Sequence, residues 1–174
     1  MPLSWLDKFV KRIDKVTELT GKTIMWFTLV MVIVSFLIVV LRYGFNLGWI
    51  AMQESVLYFH GFVFMLGAAY TLKADGHVRV DIFYQKFSQK NQAFVDLFGT
   101  LFLLFPVCFA IAFLSWDYVA ASWHIMEKSG EAGGLPLVYL SKSLLILLAV
   151  TLSLQGLAEV GRNLIVIYQV KGNG

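Results

Sequence analysis

The sequence predicts an all-α membrane protein with four transmembrane helices, on three observations. Hydrophobic residues make up 59% of the 174 residues and charged residues only 14%, against roughly 25% charged in a soluble domain. Four apolar segments, about residues 24–43, 50–72, 94–116 and 135–157, each come near the ~20 residues that cross a ~30 Å hydrocarbon core as a helix. Lysine and arginine collect in alternate connections between these segments, as positive flanks that resist translocation do.

The elements follow in order along a single membrane domain, residues 1–174. Leu6, Phe9, Val10, Ile13 and Val16 recur at spacings of three and four, while Lys8, Lys11, Arg12 and Lys15 occupy the other positions. This pattern predicts an amphipathic helix over about 4–19 for the cytoplasmic interface. The first span ends at a short turn, Tyr43 to Trp49, containing Gly44 and Gly48. After the second span a middle loop leads into a second amphipathic helix, expected over about 80–91, with Ile82, Phe83 and Phe87 opposite Gln85, Lys86, Gln89 and Lys90. The third span carries Phe94, Phe98, Phe102, Phe105, Phe109 and Phe113 as a stripe at helical spacing, continued by Trp116. Pro106 removes one backbone hydrogen bond there and predicts a kink near Phe102. The fourth span has its own stripe of Lys142, Ala149 and Gly156.

Eleven of the fourteen lysines and arginines lie in the N-terminal segment, the middle loop and the C-terminal tail. Both termini are therefore expected in the cytoplasm. The net charge of +3 is this bias itself and calls for no nucleic-acid partner. The first apolar run begins after 23 residues with no small-residue cleavage site behind it, so it is expected to remain as a span rather than a removed signal. The single cysteine, Cys108, lies within the third span, which leaves no intrachain disulfide and no cysteine metal site.

An ionisable group inside a span costs ~2.5–3.5 kcal/mol on insertion scales, so each requires an explanation. Arg42 closes the first span and Glu54 opens the second; an ion pair between them is the expected lock of this hairpin, with separate snorkelling of the two to the interface as the alternative. Glu54, Gly61, Ala68 and Asp75 recur every seven residues with Tyr58 and Met65 beside them. Small residues permit close helix approach where the hydrophobic effect cannot act, so Tyr58, Gly61 and Ala68 are candidates to face protein. The phenylalanine stripe, with Phe98, Phe102, Phe105 and Phe109, is a second candidate packing face, and otherwise a lipid-facing one. Lys142, on the stripe of the fourth span, is a further partner-facing candidate, and otherwise snorkels, since it lies about two turns from the outer end, within reach of the interface. Asp75, His77, Arg79 and Asp81 form a charged cytoplasmic turn with Gly76 supplying backbone freedom. His77 with the two aspartates is too short a cluster to read as a metal site, and no cofactor is expected.

These residues also carry a resemblance. Arg42 to Asn46, then Trp49, Glu54 and Tyr58, then Gly67 to Lys73 running into Gly76 to Asp81, resemble the small permease subunit of tripartite ATP-independent periplasmic (TRAP) transporters, the DctQ-like family. The match extends over about residues 20–165, and Gly133 to Tyr139 is similar to one branch of that family. The resemblance implies a four-helix subunit of the bacterial inner membrane that binds a larger membrane subunit. That larger subunit carries the sodium and substrate sites, and a periplasmic binding protein delivers an organic acid. This chain is then a static scaffold with a docking surface, Arg42 and Glu54 are structural, and His77, Arg79 and Asp81 fix the turn. Consistent with this, the sequence has no Gly/Pro-broken helices in repeated halves, the usual mark of a transporter binding site.

Two other classes compete. A haem-anchoring subunit of an oxidoreductase needs two histidines at one depth, and His60, His77 and His124 fall at three. A self-sufficient exporter would use Glu54 as its coupling carboxylate, but no chain of ionisable groups continues across the bilayer.

Overall fold

The computed structural model describes residues 3–77 and 84–172. Among these it is entirely helical: α1 (Leu3–Phe45), α2 (Ile50–Lys73), α3 (Gln89–Gly99), a π-helical turn (Thr100–Leu104), α4 (Phe105–His124) and α5 (Val138–Gly172). Four helical stretches are long and apolar enough to cross a membrane: Ser4–Phe45, Ile50–Lys73, Gln89–His124 and Val138–Val170. The four expected spans thus exist, and three extend well beyond the apolar runs that announced them.

The largest extension is at the N-terminus. The amphipathic segment expected over about 4–19 is not a separate helix but the first turns of α1, which continues unbroken for 43 residues. Nothing between residues 19 and 24 interrupts it, since Gly21 is an isolated glycine that a helix tolerates at a cost of about 1 kcal/mol. In the middle loop, Val80, Ile82 and Phe83 lie outside the described residues. Residues 85–87 form turn and bend, and the Ser88 hydroxyl accepts from the Asn91 N–H to start α3. A helix through 91 is therefore broken at Ser88, because a serine satisfies the first free N–H groups of a new helix better than it extends an old one.

Helix ends are made by left-handed residues that are not glycine. Asp75 (φ 54°) and Met126 (φ 47°) stand just after α2 and α4. Around them Gly76 N–H donates to the Thr71 carbonyl at 2.9 Å, and Glu127 N–H to that of Ser122 at 3.0 Å, the paired closure that satisfies the last helical carbonyls. The α1–α2 turn likewise uses Asn46 (φ 51°) rather than its two glycines.

The four stretches pack with α5 against α1, α2, α3 and α4, and with α1 against α2. The buried apolar residues are mostly small: Ala69, Ala93, Ala149 and Ala158 accompany Cys108, Val10, Ile24, Val119 and Leu144. Contact is close because glycines stand at the crossings. A Cβ on Gly161 would lie 2.7 Å from Val10 Cγ2, and one on Gly21 would lie 2.3–2.9 Å from Tyr70. The π-turn sits just before Pro106, and the Phe105 N–H donates to the Thr100 carbonyl. The wider turn accommodates the hydrogen bond that proline cannot make; where a kink is expected near Phe102, the structure has this π-turn.

Candidate functional site

Polar side chains gather at the two ends of the bundle, and each gathering ties helices of this chain together. At one end Glu54 of α2 reaches the connection between α4 and α5. One carboxylate oxygen accepts from the Ser129 hydroxyl and the other from the Leu135 N–H at 2.6 Å. The connection is closed on itself as well: Ser129 N–H donates to the Leu135 carbonyl at 3.2 Å, and Gly134 N–H to that of Glu131 at 3.0 Å. Gly134 is required there, since its Cβ would fall 2.4 Å from Ser129 Oγ and 2.8 Å from Glu54 Oε1. Gly133 takes φ 81°, a conformation that glycine reaches without strain.

A second tether closes the same connection. Lys142 of α5 meets Glu127 at 2.5 Å and lies 3.9 Å from the centre of the Tyr118 ring, so one ammonium bridges α4, the connection and α5. That ammonium holds the Glu127 carboxyl below its ordinary value. Trp123 donates from Nε1 to the Ser143 hydroxyl at 2.7 Å and packs edge-on against Tyr139, with ring centres 4.7 Å apart.

At the other end, α1 and α5 share a polar knot. Gln155 is fully buried. It accepts from Thr17 Oγ1 at 2.8 Å and donates to Asp14 Oδ1 at 3.1 Å and to Glu159 Oε1 at 3.3 Å. Arg162 donates to both oxygens of Asp14 at 3.0 Å and pairs with Glu159. Nearby, Glu18 accepts from Lys22 at 2.6 Å and from Lys73 at 2.9 Å, which fastens the end of α2 to α1.

The sequence-derived residues are distributed unevenly over this frame. Arg42 and Glu54 are not brought together: Arg42 is exposed and makes no ion pair among the described residues. The hairpin lock is corrected to Glu54 with Ser129 and Leu135, because the 125–137 connection folds back over α2 with an N–H and a hydroxyl that need acceptors. Gly61 lies against Leu144 of α5, 3.1 Å from where its Cβ would be, and Tyr58 lines a recess with Leu135, Leu137 and Leu140. Ala68 is half-buried, beside the buried Ala69. Tyr58, Gly61 and Lys142 therefore face their own chain. Phe98, Phe102 and Phe109 are exposed, at 60%, 61% and 70%. Phe105 instead turns its ring toward Gly156, so the stripe is two exposed aromatic patches separated at the π-turn. Asp75 ends α2 and His77 is exposed, while Arg79 and Asp81 lie outside the described residues. His60 is exposed and stacks on Phe64; His77 lies beyond the other end of α2 and His124 at the end of α4.

The knot around Gln155 was not anticipated. Its signals were present, as an acidic Asp14 within a basic segment and a glutamine near the end of an apolar run, but only the rotation of two distant helices brings them together.

The family model for tripartite ATP-independent periplasmic transporters, DctQ component, matches residues 5–165. The chain belongs to the DctQ family. No curated protein and no solved structure matches it. As a DctQ component the chain is a transporter subunit rather than an enzyme, a multi-pass protein of the inner membrane, and one that associates with a large membrane subunit and a binding protein. The match covers both polar ends and reaches into all four spans.

Proposed function

We propose that this DctQ component is the static scaffold of a sodium-coupled uptake transporter for organic acids. It binds and stabilises the large transport subunit and helps to dock the periplasmic binding protein. One observation carries the reading: among the described residues Glu54, Lys142, Gln155 and Arg162 are engaged within the chain, the exterior carries two aromatic patches, and the outward-facing ionisable groups of the spans, Arg42, His60 and Asp117, are isolated from one another rather than linked across the bilayer. Such a body has surface for a partner and little machinery for moving an ion.

In this reading both termini are cytoplasmic, because the end holding the Asp14–Arg162 knot also holds the basic N-terminal turns of α1. The 125–137 connection then faces the periplasm. Its two tethers, at Glu54 and at Lys142, hold it in one shape, as a docking surface for a binding protein requires. Phe98, Phe102 and Phe109 are the contact candidates toward the large subunit, since aromatics bring large contact area.

The test is co-purification of the chain with the membrane protein encoded beside it, paired with uptake in liposomes. The scaffold reading expects a stoichiometric complex, uptake by the complex, and no uptake by this chain alone. Uptake by this chain alone would defeat it in favour of the exporter, and a Soret band in the purified protein would defeat it in favour of a haem subunit.

A further inference from the structure

A groove runs between α1 and α5 over a floor of α2. It is lined by Arg12, Ile13, Val16, Thr17 and Thr20 of α1, Leu66 and Ala69 of α2, and Thr151 and Leu154 of α5, and encloses about 240 Å³. Its hydroxyls are already engaged: Thr17 with Gln155, Thr20 with the Val16 carbonyl and Thr151 with that of Leu147. What remains is apolar wall.

The mouth of the groove is different. Arg12 is exposed, as are Lys8 one turn before it and Lys15 three residues after it. By helical spacing all three fall along one side of α1. Lys11 is paired with Asp7, whereas Arg12, Lys8 and Lys15 make no ion pair among the described residues. Arg12 is itself part of the lining, so the apolar trough has a cation at its edge, with Lys8 about one turn before it and Lys15 about one turn after it on the same side of α1 and none of the three ion-paired among the described residues. From Arg12 to Thr20 the trough extends for about 12 Å along the helix.

We infer that this groove is a binding site for an anionic phospholipid, with the headgroup on Arg12, Lys8 and Lys15 and an acyl chain between α1 and α5. The chemistry is complementary at both ends of such a molecule. A net-negative headgroup neutralises the free cations, and hydrocarbon covers Ile13, Val16, Leu66 and Leu154. Basic pockets between spans are an established lipid-recognition device. The inference depends on the spans and on this groove, and is independent of the scaffold role.

The experiment uses the full-length chain with any co-purifying large subunit, in detergent, with dioleoyl-phosphatidylglycerol and dioleoyl-phosphatidylcholine added in turn and bound lipid counted by native mass spectrometry. The acyl chains are identical, so a difference between the lipids reads headgroup charge. Phosphatidylglycerol is expected to be retained at least fivefold more strongly. Arg12→Gln should lower its retention about fivefold, the effect of one surface cation near anionic lipid, without changing that of phosphatidylcholine. Val16→Trp, at an exposed wall position, should reduce retention of both by filling the trough. Helical circular dichroism checks that each variant is folded. Equal retention of the two lipids would overturn the inference, as would an unaffected Arg12→Gln variant. So would finding residues 8–20 shielded by the large subunit with no lipid retained.

Discussion

The Asp14–Arg162 pair offers the most direct measurement of what holds α1 to α5. Replacing Arg162 with methionine keeps the apolar stem and removes the guanidinium. Asp14 and Glu159, whose side chains are 22% and 17% exposed, are then left as neighbouring carboxylates without a cation. Breaking a fully buried pair in this way costs about 3–5 kcal/mol. Arg162 is itself 39% exposed, so water screens the loss, and about half of it, roughly 1.5–2.5 kcal/mol, is the better expectation. A chain of this size loses about 2–4 °C of melting temperature per kcal/mol, which predicts a drop of about 3–10 °C for the purified protein in detergent. Asp14→Asn in the same background should recover part of it, with a coupling of about 1 kcal/mol between the two sites. A melting temperature within about 1 °C of the unsubstituted protein, or strict additivity in the double variant, would refute the claim that this knot fastens the helices.

Three further outcomes follow from the geometry. Glu54→Ala removes the acceptor of the Leu135 N–H, and hydrogen exchange at 129–135 should accelerate by on the order of tenfold, with little change at 155–162. Gly161→Ala drives a Cβ into the β-branched Val10 and should cost about 1–3 kcal/mol, read as a lower melting temperature. The Glu127 carboxyl is depressed by Lys142, so its stabilising contribution is complete above the ordinary carboxylate value and disappears as pH falls through the lowered one. Proteolysis of the 125–137 connection should therefore be constant from neutral pH down to the carboxylate range and rise only below it. Lys142→Gln should raise it throughout and abolish that pH dependence.

The spans and the family could be read from the chain because lipid imposes a simple rule: an apolar run of sufficient length is a helix. Element ends were harder. The amphipathic turns of α1 and the span behind them differ in composition, but composition cannot say whether the helix breaks between them, and here it does not. Glu54 was correctly marked as a group needing a partner, yet its partner was misplaced. Nearness along the hairpin suggested Arg42, whereas the helix rotations that decide contact bring the 125–137 connection over it instead. Of the seven-residue stripe on α2, Gly61 lies against Leu144 of α5 in the same chain, a pairing that the spacing on one helix cannot specify. Phe105 left the aromatic stripe because the π-turn changes helical phase, which a 3.6-residue period cannot foresee.

The unbroken first helix has a mechanical consequence. At ~1.5 Å per residue its 43 residues measure about 65 Å, whereas a bilayer with its headgroups is ~40–45 Å thick. A rod longer than the slab it crosses must project from it or lean, and leaning is how a long helix answers a thinner membrane. A 10° change in lean displaces one end of such a rod sideways by about 11 Å relative to the other. Because Arg162 and Lys73 are fastened to the knot end of this rod, α5 and α2 are drawn along with it. Where the rod leans rather than projects, the bundle leans with it, and the angle at which the subunit presents itself then follows the thickness of the lipid.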